Sequence, residues 1–228
     1  MAYSFQTETS IGDWHYMTGM KYIDAKKIIE LLMENVCRNG SMLLNLTQHG
    51  RGDLDTEVVR TCKDIGAWLK VNGDAVYGSR PFEVYGENDV RYTRNNGYVY
   101  ATILNWKDSV IILKALHTNG NTIGKISKVE LLGSDVKLNF IQDKKGLTIT
   151  PEETGTALPG IANQSLAAGI RVLRITHSKG WFNDDDPGVI APGWFRQSNL
   201  GTGDFNNDLT ISDTPGDVWT SSFVGKSI

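Results

Sequence analysis

Asp24-Ala25-Lys26-Lys27-Ile28-Ile29-Glu30-Leu31-Leu32-Met33-Glu34-Asn35-Val36 is the stretch whose periodicity decides the first half of the fold. Ala25, Ile28, Ile29, Leu32 and Val36 recur at i, i+3, i+4, i+7 and i+11, so they form one apolar stripe along a helix. Asp24 precedes the stripe and is placed to cap it. Asn39-Gly40 reads as the stop signal, with Gly40 taking the left-handed conformation cheaply. Met42-Leu43-Leu44-Asn45-Leu46 follows, an apolar run of strand length that suits a parallel strand buried on both faces. The polar loop His49-Gly50-Arg51-Gly52-Asp53 comes next. A second helix begins near Asp55, with Val58, Cys62, Ile65 and Leu69 on its apolar side, and ends at Val71-Asn72-Gly73. Helix, strand, loop, helix is a piece of a parallel α/β fold.

Beyond Arg80-Pro81 the period changes. Proline there disfavours helix continuation and opens an extended segment. Tyr98–Leu104, Val110–Leu113, Lys128–Leu132, Val136–Phe140, Leu147–Thr150 and Arg171–Ile175 are strand-like. Turns containing Asn96-Gly97, Asn119-Gly120, Gly133-Ser134 and Lys145-Gly146 separate them. Short strands at this spacing predict an antiparallel β-sandwich. The reading therefore divides the chain into an α/β segment over 1–80, a sandwich over 81–180 and a polar, irregular tail over 181–228. Trp181, Trp194, Phe195 and Trp219 are the apolar anchors of that tail.

The 228 residues are 40% hydrophobic and 21% charged, which excludes collagen-like and coiled-coil classes. Lys plus Arg is 23 against 26 for Asp plus Glu, a net charge of −3. That balance gives no electrostatic footprint for nucleic acid or an anionic membrane. No apolar run approaches the ~20 residues that span a bilayer. Met1–Ser10 has neither a basic nor an apolar signal region, so no secretory signal is expected in this sequence, and the compartment stays open. Cys37 and Cys62 lack partners at ligand spacing and read as small apolar side chains.

Three blocks resemble α-L-fucosidases of glycoside hydrolase family 29. They are Thr9-Ser10-Ile11-Gly12-Asp13-Trp14-His15-Tyr16, then Gly40-Ser41-Met42-Leu43-Leu44-Asn45-Leu46, then Ile65-Gly66-Ala67-Trp68-Leu69-Lys70-Val71-Asn72-Gly73-Asp74-Ala75-Val76-Tyr77. The third is the most specific: a helix ending in Gly-x-Trp-Leu-Lys-x-Asn-Gly-x-Ala-x-Tyr. The resemblance implies the last units of a (β/α)8 barrel followed by a β-sandwich, and retaining hydrolysis of α-L-fucosides. A whole barrel takes about 250 residues, so residues 1–80 are expected to be a truncated barrel remnant. The family's nucleophilic aspartate lies on a strand ahead of anything that matches here.

Retaining glycosidases use two carboxylates about 5–5.5 Å apart. The family's Trp-Glu dipeptide is matched by Phe5-Gln6, and Gln6 cannot exchange a proton as an acid does. Glu8, two residues on, points to the same side of an extended segment and is the first candidate acid/base. Asp13 is the second catalytic candidate. Trp14 beside it suits stacking against the apolar face of a sugar. His49 and Arg51 lie in the loop after a strand, where barrel sites form, and are candidate substrate contacts. Each has a plainer reading: Glu8 as a solvated strand-end residue, Trp14 as core packing, and His49 and Arg51 as surface loop.

Asp204, Asn206, Asp208 and Ser212 fall at positions 1, 3, 5 and 9 of a calcium-loop pattern. Leu209 replaces its glycine and Pro215 its final acid, so a polar turn is the competing reading and no other cofactor is called for. The expected partner is a fucosylated glycan or aryl fucoside. Exposed Leu43, Leu44 and Ile28 faces of an incomplete barrel would drive homo-oligomer formation. The alternative is a catalytically incomplete carbohydrate-binding or structural module that associates through the same faces.

Overall fold

A computed structural model describes residues 4–106, 110–119, 123–151 and 169–178. The chain opens with strand β1 (Phe5–Ser10), helix α1 (Ala25–Val36), strand β2 (Gly40–Asn45) and helix α2 (Thr56–Asn72). Asp24 caps α1 as expected, its carboxylate accepting from the Lys27 amide at 2.8 Å. β1 and β2 pair in parallel, with Glu8 opposite Leu43 and Ser10 opposite Asn45. Alternation then gives the pair two different faces. Met42 and Leu44 turn toward Ile28 of α1 and Val58 of α2, where Ile11 completes a buried cluster. Gln6, Glu8, Ser41 and Leu43 turn the other way and are exposed; Leu43 keeps 44% of its surface accessible. The Met42–Leu46 run is therefore covered on one face only among the described residues.

The stop after α1 works differently from the sequence expectation. Asn39, not Gly40, takes the left-handed conformation, with φ of 74°. Gly40 is already the first residue of β2. A Cβ there would lie 2.5 Å from the Phe5 ring, so close approach of β1 requires glycine at this position.

The remainder is antiparallel. β3 (Arg80–Glu87), β4 (Val90–Asn95), β5 (Tyr98–Ile103), β10 (Arg171–His177) and β7 (Ile126–Leu131) lie in that spatial order in one five-stranded sheet. β6 (Ile111–Leu113), β9 (Leu147–Pro151) and β8 (Leu138–Gln142) form a three-stranded sheet. Tyr92, Val99, Ala101, Leu173 and Ile175 from the larger sheet bury against Leu113, Leu147 and Ile149 from the smaller, a β-sandwich core. The other face of the larger sheet is also covered. Tyr100 and Val172 pack against Ile29 and Met33 of α1 and Trp68 of α2. Helices, large sheet and small sheet thus stack as layers within one compact unit, Phe5–Asp184.

β3 and β4 are absent from the strand series read in the sequence, because β4 buries polar residues. Thr93 donates to the Ala75 carbonyl at 2.8 Å, and Asn95 donates to the carbonyls of Asp74 and Tyr77. Both fix the turn that follows α2. Trp68 donates its indole N–H to the Ile170 carbonyl at 3.2 Å. The Gly-x-Trp-Leu-Lys-x-Asn-Gly block is accordingly a helix, its exit turn and a buried latch onto the sheet. A second tie runs from α1: Glu34 pairs with both Arg38 and Arg91 of β4, and Arg38 lies 4.2 Å from the Tyr85 ring centroid.

Candidate functional site

The carboxyl ends of β1 and β2 bring two loops together. After β1 the chain passes Ile11–Asp24, and after β2 it passes Leu46–Asp55 before α2. In the first loop Asp13 turns its carbonyl back into the end of the strand pair. That oxygen accepts from Ser10 Oγ at 2.6 Å, from Thr47 Oγ1 at 2.7 Å and, longer, from Asn45 Nδ2 at 3.5 Å. Asn45 also donates to Ser10 Oγ at 2.9 Å and to the Trp14 carbonyl at 3.4 Å. The Asp13 carboxylate accepts from the Trp14 amide at 2.7 Å. Trp14 itself stands outward, 57% exposed, so it is not a core residue.

A second network joins the loops at their outer side. His49 faces two carboxylates, with Nε2 2.9 Å from Asp55 and Nδ1 3.2 Å from Asp53. Its ring lies 4.2 Å from that of Tyr16, centroid to centroid. Tyr22 donates its hydroxyl to the other oxygen of Asp55 at 2.7 Å. The Asp55 carboxyl is held below the usual carboxylate range, first by the Tyr22 hydrogen bond and then, against some desolvation, by His49. In return the carboxylate pushes the Tyr22 hydroxyl up to about 12, with desolvation adding to it. Arg51 donates to Asp53 at 2.7 Å, which lowers the Asp53 carboxyl and raises the guanidinium.

The five sequence candidates thus separate by place. Asp13 and Trp14 sit over the ends of β1 and β2. Glu8 lies on the same helix-free face of β1 as Ser10, two residues nearer the strand's start, and is exposed. His49 and Arg51 both engage the Asp53 carboxylate of their own loop. The candidate calcium residues Asp204, Asn206 and Asp208 lie outside the described residues. Ser10, Asn45, Thr47, Tyr16, Tyr22 and Asp55 were not singled out from sequence as site residues. Asp55 stands at the expected helix start, but its side chain makes no cap bond and serves Tyr22 and His49 instead. The paired strand ends make Ser10, Asn45 and Thr47 legible only once the β1–β2 register is known.

Comparison with known proteins covers both halves. Residues 1–74 match the family model described as alpha-L-fucosidase, and residues 86–162 match that of the alpha-L-fucosidase C-terminal domain. Tissue alpha-L-fucosidase of Mus musculus is 33% identical over 162 residues, which are 67% of this chain and 35% of that protein. The Rattus norvegicus counterpart is 31% identical over 152 residues, 63% of this chain and 32% of that protein. This chain therefore spans about a third of the length of these relatives. In fold it is similar to alpha-L-fucosidase isoenzyme 1 from Paenibacillus thiaminolyticus, at a TM-score of 0.63 and 22% identity, covering 77% of this chain and 40% of that one. A family 29 alpha-L-fucosidase from Bacteroides thetaiotaomicron also gives 0.63, at 16% identity, covering 78% of this chain and 39% of that one. With both family models matched in this order along the sequence, the chain belongs to the α-L-fucosidases of glycoside hydrolase family 29.

Proposed function

We propose that this chain forms part of the catalytic apparatus of a retaining α-L-fucosidase acting on fucosylated glycans or aryl α-L-fucosides. In this reading residues 1–80 are the closing β/α units of a barrel-type catalytic domain and residues 81–180 its sheet domain. The single observation that carries it is the placement of Glu8. It is a carboxylate on the helix-free face of a parallel strand, two residues before the end that bears Ser10, Asp13 and Trp14. In a barrel that face points inward and that end is where sites form.

Glu8 acts as the acid/base, protonating the leaving oxygen and then activating water; the second carboxylate of the pair is supplied from beyond the β1–β2 pair. Asp13 orders the loop and offers its remaining carboxylate oxygen to a sugar hydroxyl, while Trp14 stacks on the sugar's apolar face. His49 and Arg51 hold the outer wall through Asp53. Among the described residues β1 and β2 pair only with each other. Of the apolar side chains expected to be bare, Ile28 and Leu44 are covered in the helix–strand cluster and Leu43 of β2 stays exposed. Leu43 favours association of copies, a homo-oligomer, which light scattering tests.

The deciding assay is nitrophenol release from an aryl α-L-fucoside by the purified chain, Glu8→Gln and Asp13→Asn. Loss of at least about 100-fold in Glu8→Gln, on the scale of a general acid/base contribution, is expected. Full activity in Glu8→Gln overturns the assignment, and no release by the unaltered chain, with a fucose-dependent thermal shift, overturns catalysis by this chain and leaves the carbohydrate-binding module.

A further inference from the structure

We propose that Ser10, Asn45 and Thr47 are positioning residues: together they clamp the Asp13 carbonyl and so present Trp14 as a fixed platform for the sugar. The occupant rests on the function proposed above; the clamp rests on geometry alone. One carbonyl oxygen receives two short hydroxyl bonds, 2.6 Å from Ser10 and 2.7 Å from Thr47, and Asn45 bridges Ser10 to the Trp14 carbonyl. Ser10 ends β1, Asn45 ends β2 and Thr47 follows β2 by two residues, so the grip draws on the β1–β2 register as well as on the loop. Thr47 is buried, 1% exposed, with its hydroxyl spent on this one oxygen.

Fixing a backbone residue costs about 1–2 kcal/mol of conformational entropy. Here the ordered segment ends in an indole left in solvent, so burial of that side chain does not offset the cost. A preorganised aromatic does offset it when a ligand binds, because the ordering is done beforehand. L-Fucose suits such a platform: its C3–C4–C5 hydrogens and its methyl group make one continuous apolar face.

The test uses chain labelled with 15N at tryptophan only, with the Trp14 indole and backbone N–H signals assigned by their loss in Trp14→Phe. In the unaltered chain the Trp14 amide should show the heteronuclear NOE of ordered backbone, and its indole signal should shift on adding L-fucose. In Ser10→Ala/Thr47→Val the NOE should fall and the fucose Kd should rise roughly tenfold, equivalent to about 1.4 kcal/mol. Thr47→Ser, which keeps the hydroxyl, should behave as the unaltered chain. An unchanged NOE and Kd in the double variant would overturn the clamp while leaving the sugar reading intact. A lower NOE with unchanged Kd would overturn its positioning role. An indole signal unmoved by fucose in the unaltered chain, with an ordered amide, would overturn the platform and the sugar reading but not the hydrogen-bonded grip.

Discussion

Replacing Trp68 by alanine should unseat the helices from the sheet. The indole is only 7% exposed and packs with Ile29, Met33, Tyr100 and Val172 while donating to the Ile170 carbonyl. A buried tryptophan removes about 150–250 Å² from water, which at ~25 cal/mol per Å² is roughly 4–6 kcal/mol. Large-to-small changes at buried aromatics cost about 3–5 kcal/mol, so a loss near 4 kcal/mol is expected. At about 2–4 °C per kcal/mol for a chain of this size, Tm should fall by roughly 8–16 °C. Trp68→Phe keeps most of the packing but strands the Ile170 carbonyl, a loss of about 1–3 kcal/mol. The assay is urea unfolding followed by far-ultraviolet dichroism and tryptophan emission. A Trp68→Ala loss below about 1 kcal/mol would refute the claim that this block is a structural latch.

Further expectations follow from the electrostatics and the thiols. Tyr22 is raised above its ordinary value by Asp55, so its contribution is complete below pH ~10 and disappears as pH climbs through about 12. Unfolding midpoints of the parent and Tyr22→Phe should therefore converge in strong alkali. Asp55 is lowered, so its share is present above the ordinary carboxylate range and is lost on acidification; a parent-minus-variant difference that grows in acid would contradict this. Glu34→Gln removes the negative charge that pairs with Arg38 and Arg91, which keep their backbone carbonyl acceptors. With these groups part-exposed, the cost should be about 1 kcal/mol and shrink with added salt. Burial pushes the Cys37 thiol up to about 11 and raises that of Cys62 as well. Thiol reagents at pH 7 should label buried Cys37 more slowly than part-buried Cys62, and prompt labelling mapped to Cys37 would show that it is accessible.

The helices were legible because their signals are local: the 3.6-residue stripe of α1 and the cap at Asp24 do not depend on distant residues. The β5 run was legible because burial on both faces leaves it almost continuously apolar, and β10 through the buried Val172, Leu173 and Ile175 among its polar residues. β4 was not, since Thr93, Arg94 and Asn95 are buried with partners that lie elsewhere in the chain, such as Ala75 and Asp74. The site was legible in its ingredients more than in its wiring. Asp13 and Trp14 stand together in sequence, but the donors that hold them come from the far ends of two paired strands and the loop just past β2, and a pairing register has no local signature. His49 and Arg51 were read both as substrate contacts and as surface loop; their shared partner Asp53, beside them in the same loop, was not singled out.

The doubly covered sheet has a consequence for anyone dissecting this chain. A cut at Arg80 would leave Ile29, Met33 and Trp68 bare on one fragment, and Tyr100 and Val172 bare on the other. Neither piece would inherit a finished surface, so separately produced fragments should clump, and mixing them from denaturant is the sensible route to rejoining them. The seam that looks like a natural scissor-line in the sequence is, in three dimensions, a party wall.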